Sequence, residues 1–364
     1  MTSTPRLTTP DIARALALGG VVIMNYHAYL NHSEATTPIS PSLWQELFNP
    51  VTGFLTARFA TLFVFVAGVS LSLLAASSSR RPDQIQMAIF RRGLFLLIFG
   101  CCIEWIWHGT ILFYYGAYFL LASFFIHCTT RTLIITTVLA IVLGAALEAW
   151  RASEALGGHA TAWLAPRSMA SPRNFMIRVF ISYTHPVLPW FAFICLGIIL
   201  GRHLGSITVW RRRVAGISLL VVGSAYLISH LVHQFVDSST QTGVAIRTLT
   251  STNPFSRGIL FSATTSGIAI FVFLAVSAWA DSQSLAQVRV ILQRIGQTTL
   301  SIYVAHVLFF NAVVNRVHWV TPTGLDTALV LSVVFLALAT TLSLLHVRFI
   351  GQGPMERIYR LIGG

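Results

Sequence analysis

Apolar residues gather into ten runs, at 12–30, 54–76, 89–107, 110–127, 131–150, 186–203, 212–236, 257–280, 297–316 and 327–347. Each is about 17 to 25 residues, the length at which a helix crosses a hydrocarbon core about 30 Å thick. The pattern predicts an all-α fold: a polytopic integral membrane helical bundle of about 10 transmembrane helices, forming one domain over residues 1–364. The first run is long and no small-residue cleavage site follows it, so it is expected to remain as a helix. Trp107, His108, Gly109 and Thr110 alone divide the third run from the fourth, which predicts a tight helical hairpin. The longest connection, 151–185, is polar and basic, with a short interfacial helix expected near Asn174 to Tyr183.

Arginines orient this pattern. With the N-terminus inside, cytoplasmic segments hold sixteen arginines and outer segments seven, so both termini are expected in the cytoplasm. Four of the seven, Arg151, Arg167, Arg173 and Arg178, fall in the 151–185 connection against that trend. Either they meet an anionic substrate or lipid headgroups, or a long loop simply tolerates charge.

Composition agrees with a membrane chain. Apolar residues make up 55% of it and charged residues 10%, against about a quarter charged in soluble domains. Mean hydropathy is +0.73. The formal charge of +13 comes from arginines that set topology, so no nucleic-acid partner is expected. Cys101, Cys102, Cys128 and Cys195 have no metal-ligand spacing and are expected to be buried small apolar groups. A plasma-membrane, multi-pass and bacterial setting is the expectation, with membrane lipids as partners and a homodimer open.

The candidate chemistry begins in the first run, Asp11 to His32, DIARALALGGVVIMNYHAYLNH. Asp11 and Arg14 share one helix face. Asn25, Tyr26 and His27 lie about 20 Å further along, so one helix carries a polar cluster at each membrane face. Polar groups at such positions are costly unless they serve a cavity or a protein interior. His27 is a candidate general base, Asn25 a candidate donor or oxyanion stabiliser, and His32 an alternative base. On the cytoplasmic side, Arg14, Arg91 and Arg92 are suited to the phosphates of a nucleotide-bearing cofactor such as an acyl-CoA, or to anchoring at headgroups. Glu104 and His108, four apart, are expected to share a helix face at the outer end of the third run. His185 precedes Pro186 at the mouth of the sixth run, and His306 lies deep in the ninth. These four are candidates for substrate binding. No P-loop, HExxH, CxxC or GxSxG motif occurs, and no metal is expected.

The stretches DIARALALGGVVIMN, ARFATLFVFVAGVSLSLL, FRRGLFLLIFG with ILFYYGAYFLL, HPVLPWFAFICLGIILGR, IGQTTLSIYVAHVLF and GQGPMERIYR follow one another in this order. Together they resemble the YeiB and DUF418 group and the catalytic region of heparan-α-glucosaminide N-acetyltransferase. Both look like branches of a transmembrane acyltransferase superfamily that includes the acyltransferase-3 proteins. The resemblance implies acyl transfer by ten or eleven helices. Acyl-CoA, as acetyl-CoA, would enter from the cytoplasm, and the acyl group would pass to a sugar or lipid acceptor at the outer face.

The departures are specific. Acyltransferase-3 proteins place a histidine eleven residues after the helix arginine, and counting from Arg14 gives Asn25 here. His27 is two residues later, about 200° round the helix. The glucosaminide acetyltransferases resemble the Asn25–Tyr26 pair and carry their active histidine in the following loop, which leaves His27 and His32 open. The GDIL-type turn of the family reads His108, Gly109, Thr110, Ile111, Leu112, with Thr110 where the acid would be. A second function class remains open: a transporter or permease for a small metabolite or lipid, against which stand the lack of a clear repeat and of mid-span acids. A third is a non-catalytic membrane partner of a biosynthetic enzyme.

Overall fold

The computed structural model describes residues 8–30, 43–77, 80–166, 169, 171–282, 284–320 and 325–364, and no strand occurs among them. The helices are α1 (Thr9–Leu30), α2 (Leu43–Phe48), α3 (Arg58–Ser77), α4 (Pro82–Glu104) and α5 (Leu112–Phe125). Next come α6 (Thr130–Leu156), α7 (Pro172–Phe180), α8 (Val187–Arg202), α9 (Ile207–Phe235) and α10 (Gln241–Leu249). The last are α11 (Ile259–Asp281), α12 (Ala286–Gly296), α13 (Thr299–Phe310), α14 (Leu325–Phe349) and α15 (Pro354–Gly363). Each of the ten apolar runs carries a helix, and α7 stands where the interfacial helix was expected.

Crossing the membrane is a stricter demand. Among the described residues, α3, α4, α6, α9, α11 and α14 are long and apolar enough, and α12 with the α13 segment adds a seventh candidate bent by 75°. At 14 and 16 residues, α5 and α8 are apolar but short of the roughly 20 that a full crossing needs. The outer faces of α6, α9 and α14 leave Val138, Leu220 and Leu342 uncovered by protein, as helices facing lipid do.

The structure divides into two units, residues 1–63 with 272–361, and 64–271 with 362–364. In the first unit, α1 packs on α12, α13 and α14. A methyl on Gly296 would sit 1.9 Å from the Asp11 carbonyl oxygen, so the end of α12 seats directly on the α1 backbone. Glu356 of α15 caps α13: its carboxylate accepts from the amides of Leu300 (2.6 Å) and Ser301 (3.1 Å) and from the Ser301 hydroxyl. A carboxylate there satisfies amides that the first turn leaves without partners.

In the second unit, α4 and α5 form the expected hairpin. It closes on glycines: a methyl on Gly100 would meet Phe113 N at 2.2 Å, and one on Gly116 would meet Leu97 N at 2.3 Å. The same device joins α8 to α3, where a methyl on Gly197 would lie 2.1 Å from the Phe65 carbonyl oxygen. Lipid supplies no hydrophobic drive for helix association, so close backbone approach carries these contacts. Gly197→Ala is therefore expected to cost about 1–3 kcal/mol by overpacking. A lowered unfolding midpoint in detergent would show it, and an unchanged midpoint would contradict this account of the contact. Of the four cysteines only Cys195 is buried; Cys102 is exposed on α4 and Cys101 and Cys128 are intermediate. The expectation that all four are buried fails because α4 turns its Cys102 face away from the protein.

Candidate functional site

Two polar clusters stand out, one in each unit. In the first, α1 brings Asn25 and Tyr26 against α13. Asn25 Nδ2 lies 3.0 Å from His306 Nε2, and the Tyr26 hydroxyl donates to the His306 carbonyl at 2.9 Å. His306 Nδ1 faces the Tyr303 carbonyl one turn back. A carbonyl only accepts, so Nδ1 carries the proton, Nε2 is the acceptor, and the Asn25 amide donates to it. His306 and Tyr26 are fully buried, and the Tyr26 ring stacks on His306 at 6.0 Å and lies tilted against Phe310 at 5.1 Å. Asn25→Ala would strip the acceptor of its donor. A loss of about 1–3 kcal/mol is expected, shrinking in a His306→Phe background; equal losses in both backgrounds would mean that the pair contributes nothing.

His27 leaves the same helix toward another neighbour. Its ring stacks on Phe48 of α2, with centroids 5.6 Å apart. Its Nδ1 is 2.6 Å from the Ile23 carbonyl. By the same logic Nδ1 holds the proton, which leaves Nε2 as the basic nitrogen. The side chain is wholly buried. So Asn25 and His306, far apart in sequence, are brought together, while His27 sits two residues on against α2. His32 lies outside the described residues.

At the other end of α1, Asp11 pairs with Arg14 at 3.1 Å, and Arg14 donates to the Gly296 carbonyl at 2.8 Å. Arg14 thus ties α1 to the end of α12. Arg91 and Arg92 are on α4 in the other unit. Arg91 is exposed, whereas the Arg92 side chain packs against Gly363.

The second cluster gathers around Glu104, His185 and three arginines. Glu104 is buried and its oxygens accept from Arg178 Nη2 at 2.6 Å, Gly109 N at 2.8 Å and Thr110 N at 3.1 Å. α4 stops at Glu104, so the helical face that Glu104 and His108 were expected to share does not form; His108 is exposed in the turn that follows. Arg178 lies over the Tyr183 ring, 3.8 Å from its centroid. Glu148 pairs with Arg151 at 3.1 Å and also with Arg257. Arg257 further donates to the carbonyls of Ile181 and Tyr183. These contacts hold Tyr183 in a left-handed backbone conformation, φ +88°. His185 meets Trp190 edge-on at 4.5 Å, and its carbonyl accepts from the Tyr118 hydroxyl. Burial, and then the charge of Arg257, push the His185 pKa down to about 3.

Sequence reasoning passed over Glu148, Arg257, Tyr114 and Tyr118. A usable signal existed for the first: an acid inside an apolar run needs a cationic partner. Among the outer arginines, Arg151 and Arg178 are held by Glu148 and Glu104, and Arg173 lies 5.4 Å from the Trp163 ring centroid.

Comparison with known families agrees with the resemblance seen in the sequence. The family described as "Heparan-alpha-glucosaminide N-acetyltransferase, catalytic" matches residues 6–235. A second, described as "Protein of unknown function (DUF418)", matches residues 199–362. No curated protein matches the chain.

Proposed function

Because this chain belongs to the heparan-alpha-glucosaminide N-acetyltransferase catalytic family, a family of membrane acetyltransferases, we propose that it moves an acetyl group from cytoplasmic acetyl-CoA to a sugar or lipid acceptor at the outer face of a bacterial plasma membrane. The observation that carries this reading is the family match over residues 6–235, which includes α1 and its His27. In the proposed reaction, His27 Nε2 takes the proton of the acceptor hydroxyl or amine. The acceptor oxygen or nitrogen attacks the thioester carbonyl, the C–S bond breaks, and the CoA thiolate leaves and is protonated to the thiol. Proton transfer with positioning suffices for such a step. Asn25 and His306 fix α1 against α13 beside it. Exposed Arg91 is the first of the cytoplasmic arginines to meet the CoA phosphates, with Arg92 next to it; Arg14, engaged by Asp11 and Gly296, serves the α1–α12 junction.

The family is named for a glucosaminide, so a glucosamine glycoside is the first acceptor to try. In reconstituted vesicles given acetyl-labelled acetyl-CoA, label is expected to pass to that acceptor or to a lipid extract. Label that stays on CoA with every sugar and lipid offered would overturn the proposal. One observation favours a second reading, a permease: the 75° break between α12 and α13, since transporters build sites at broken helices. Flux of a labelled solute without CoA would support it.

A further inference from the structure

Several buried polar atoms of the 64–271 unit have no hydrogen-bond partner of normal geometry among the described residues, and three of them fall together: Tyr114 Oη, Thr184 Oγ1 and His185 Nδ1. They are neighbours. Thr184 and His185 are consecutive, and the Tyr114 and His185 ring centroids are 5.8 Å apart, edge to face. The Tyr114 hydroxyl interacts with that of Thr184, but a bond between two hydroxyls uses only one of their two protons and leaves the other to donate. Buried polar groups are nearly always paired, because an unpaired one forfeits its hydration for nothing. The loop cannot turn to relieve them. Arg257 grips the carbonyls of Ile181 and Tyr183, and Tyr118 grips that of His185.

What the three atoms share is the ability to donate. Two are hydroxyls, and His185, kept neutral by its surroundings, has one N–H to offer. The charge around them is unbalanced in the same sense. Two carboxylates, Glu104 and Glu148, face three guanidiniums, Arg151, Arg178 and Arg257. Arg178 and Arg257 are buried. Donors with protons to spare, beside an excess of positive charge, call for an anionic oxygen.

We propose that Tyr114, Thr184 and His185 form a binding site for an oxyanion, a phosphate or carboxylate group, with Arg257 behind them supplying the compensating charge. The site stands independently of acetyl transfer. Its ligand has two sources, a free small-molecule anion or the phosphate of a lipid headgroup.

The test uses the purified full chain in a neutral detergent. Inorganic phosphate is titrated at constant ionic strength against chloride, and, separately, short-chain phosphatidylglycerol, following the thermal midpoint. A saturable rise with phosphate identifies a free anion as sufficient. A rise with phosphatidylglycerol alone identifies the headgroup. In either case Tyr114→Phe/Thr184→Val, which removes two donors and no charge, is expected to weaken binding at least about tenfold. Should the double variant fail to fold, the near-isosteric Tyr114→Phe alone is expected to weaken it measurably. No saturable response to either ligand, or unaltered affinity in a folded variant, would overturn the proposal.

Discussion

Glu104→Ala is expected to lower the stability of the protein by about 3–5 kcal/mol, the cost of leaving one member of a buried ion pair uncompensated. The geometry points to the upper part of that range. Arg178 and Glu104 are each 3% exposed at the side chain, and the same carboxylate also accepts the amides of Gly109 and Thr110. Its loss removes the carboxylate partner of a buried guanidinium and an acceptor from two backbone amides at once. Glu104→Gln, which keeps an acceptor for the amides, should fall between Ala and wild type. Glu104→Leu/Arg178→Met, which removes both charges, should recover part of the loss. Unfolding in detergent, followed by midpoint and by the fraction of monodisperse protein, reads all three. A Glu104→Ala protein as stable as wild type would mean that the pair is not the keystone of the 105–111 turn.

The second large effect falls on turnover. His27→Ala is expected to reduce acetyl transfer about 10²–10⁴-fold, the usual contribution of a positioned general base, measured on protein shown to be folded because the ring is wholly buried and stacked on Phe48. His27→Gln should be equally inactive, since an amide fills the space without offering a base. His32→Ala is the necessary companion: retained transfer there with loss at His27 assigns the base to α1, and the reverse assigns it to the loop. Wild-type rates in both folded variants would remove acid–base catalysis by either histidine.

Much of the fold could be read from hydrophobic period and length. Ten apolar runs marked ten helices, the four residues from Trp107 to Thr110 marked the α4–α5 turn, and the short helix α7 fell within 151–185. Two things escaped. An apolar run does not by itself guarantee a helix of full crossing length: α5 has 14 residues and α8 has 16. And side-chain partners separated by many residues are invisible to spacing. Asn25 meets His306 across 281 residues and Arg178 meets Glu104 across 74. Spacing instead offered Glu104 with His108, a pairing that needs a helix to continue beyond the residue where α4 stops. Local arithmetic found histidines and arginines one by one; burial and the need to neutralise Glu104 and Glu148 chose which of them belong together.

The central claim is that the chain uses acetyl-CoA, and thermal stabilisation by acetyl-CoA of purified protein in nanodiscs tests it most directly. A ligand present at 100 times its Kd stabilises by about 2.7 kcal/mol. The account predicts a saturable rise in midpoint with acetyl-CoA, lost in a folded Arg91→Ala/Arg92→Ala protein. No rise at millimolar acetyl-CoA, in protein shown to be folded, would contradict it and turn attention to solute flux through the broken α12–α13 segment.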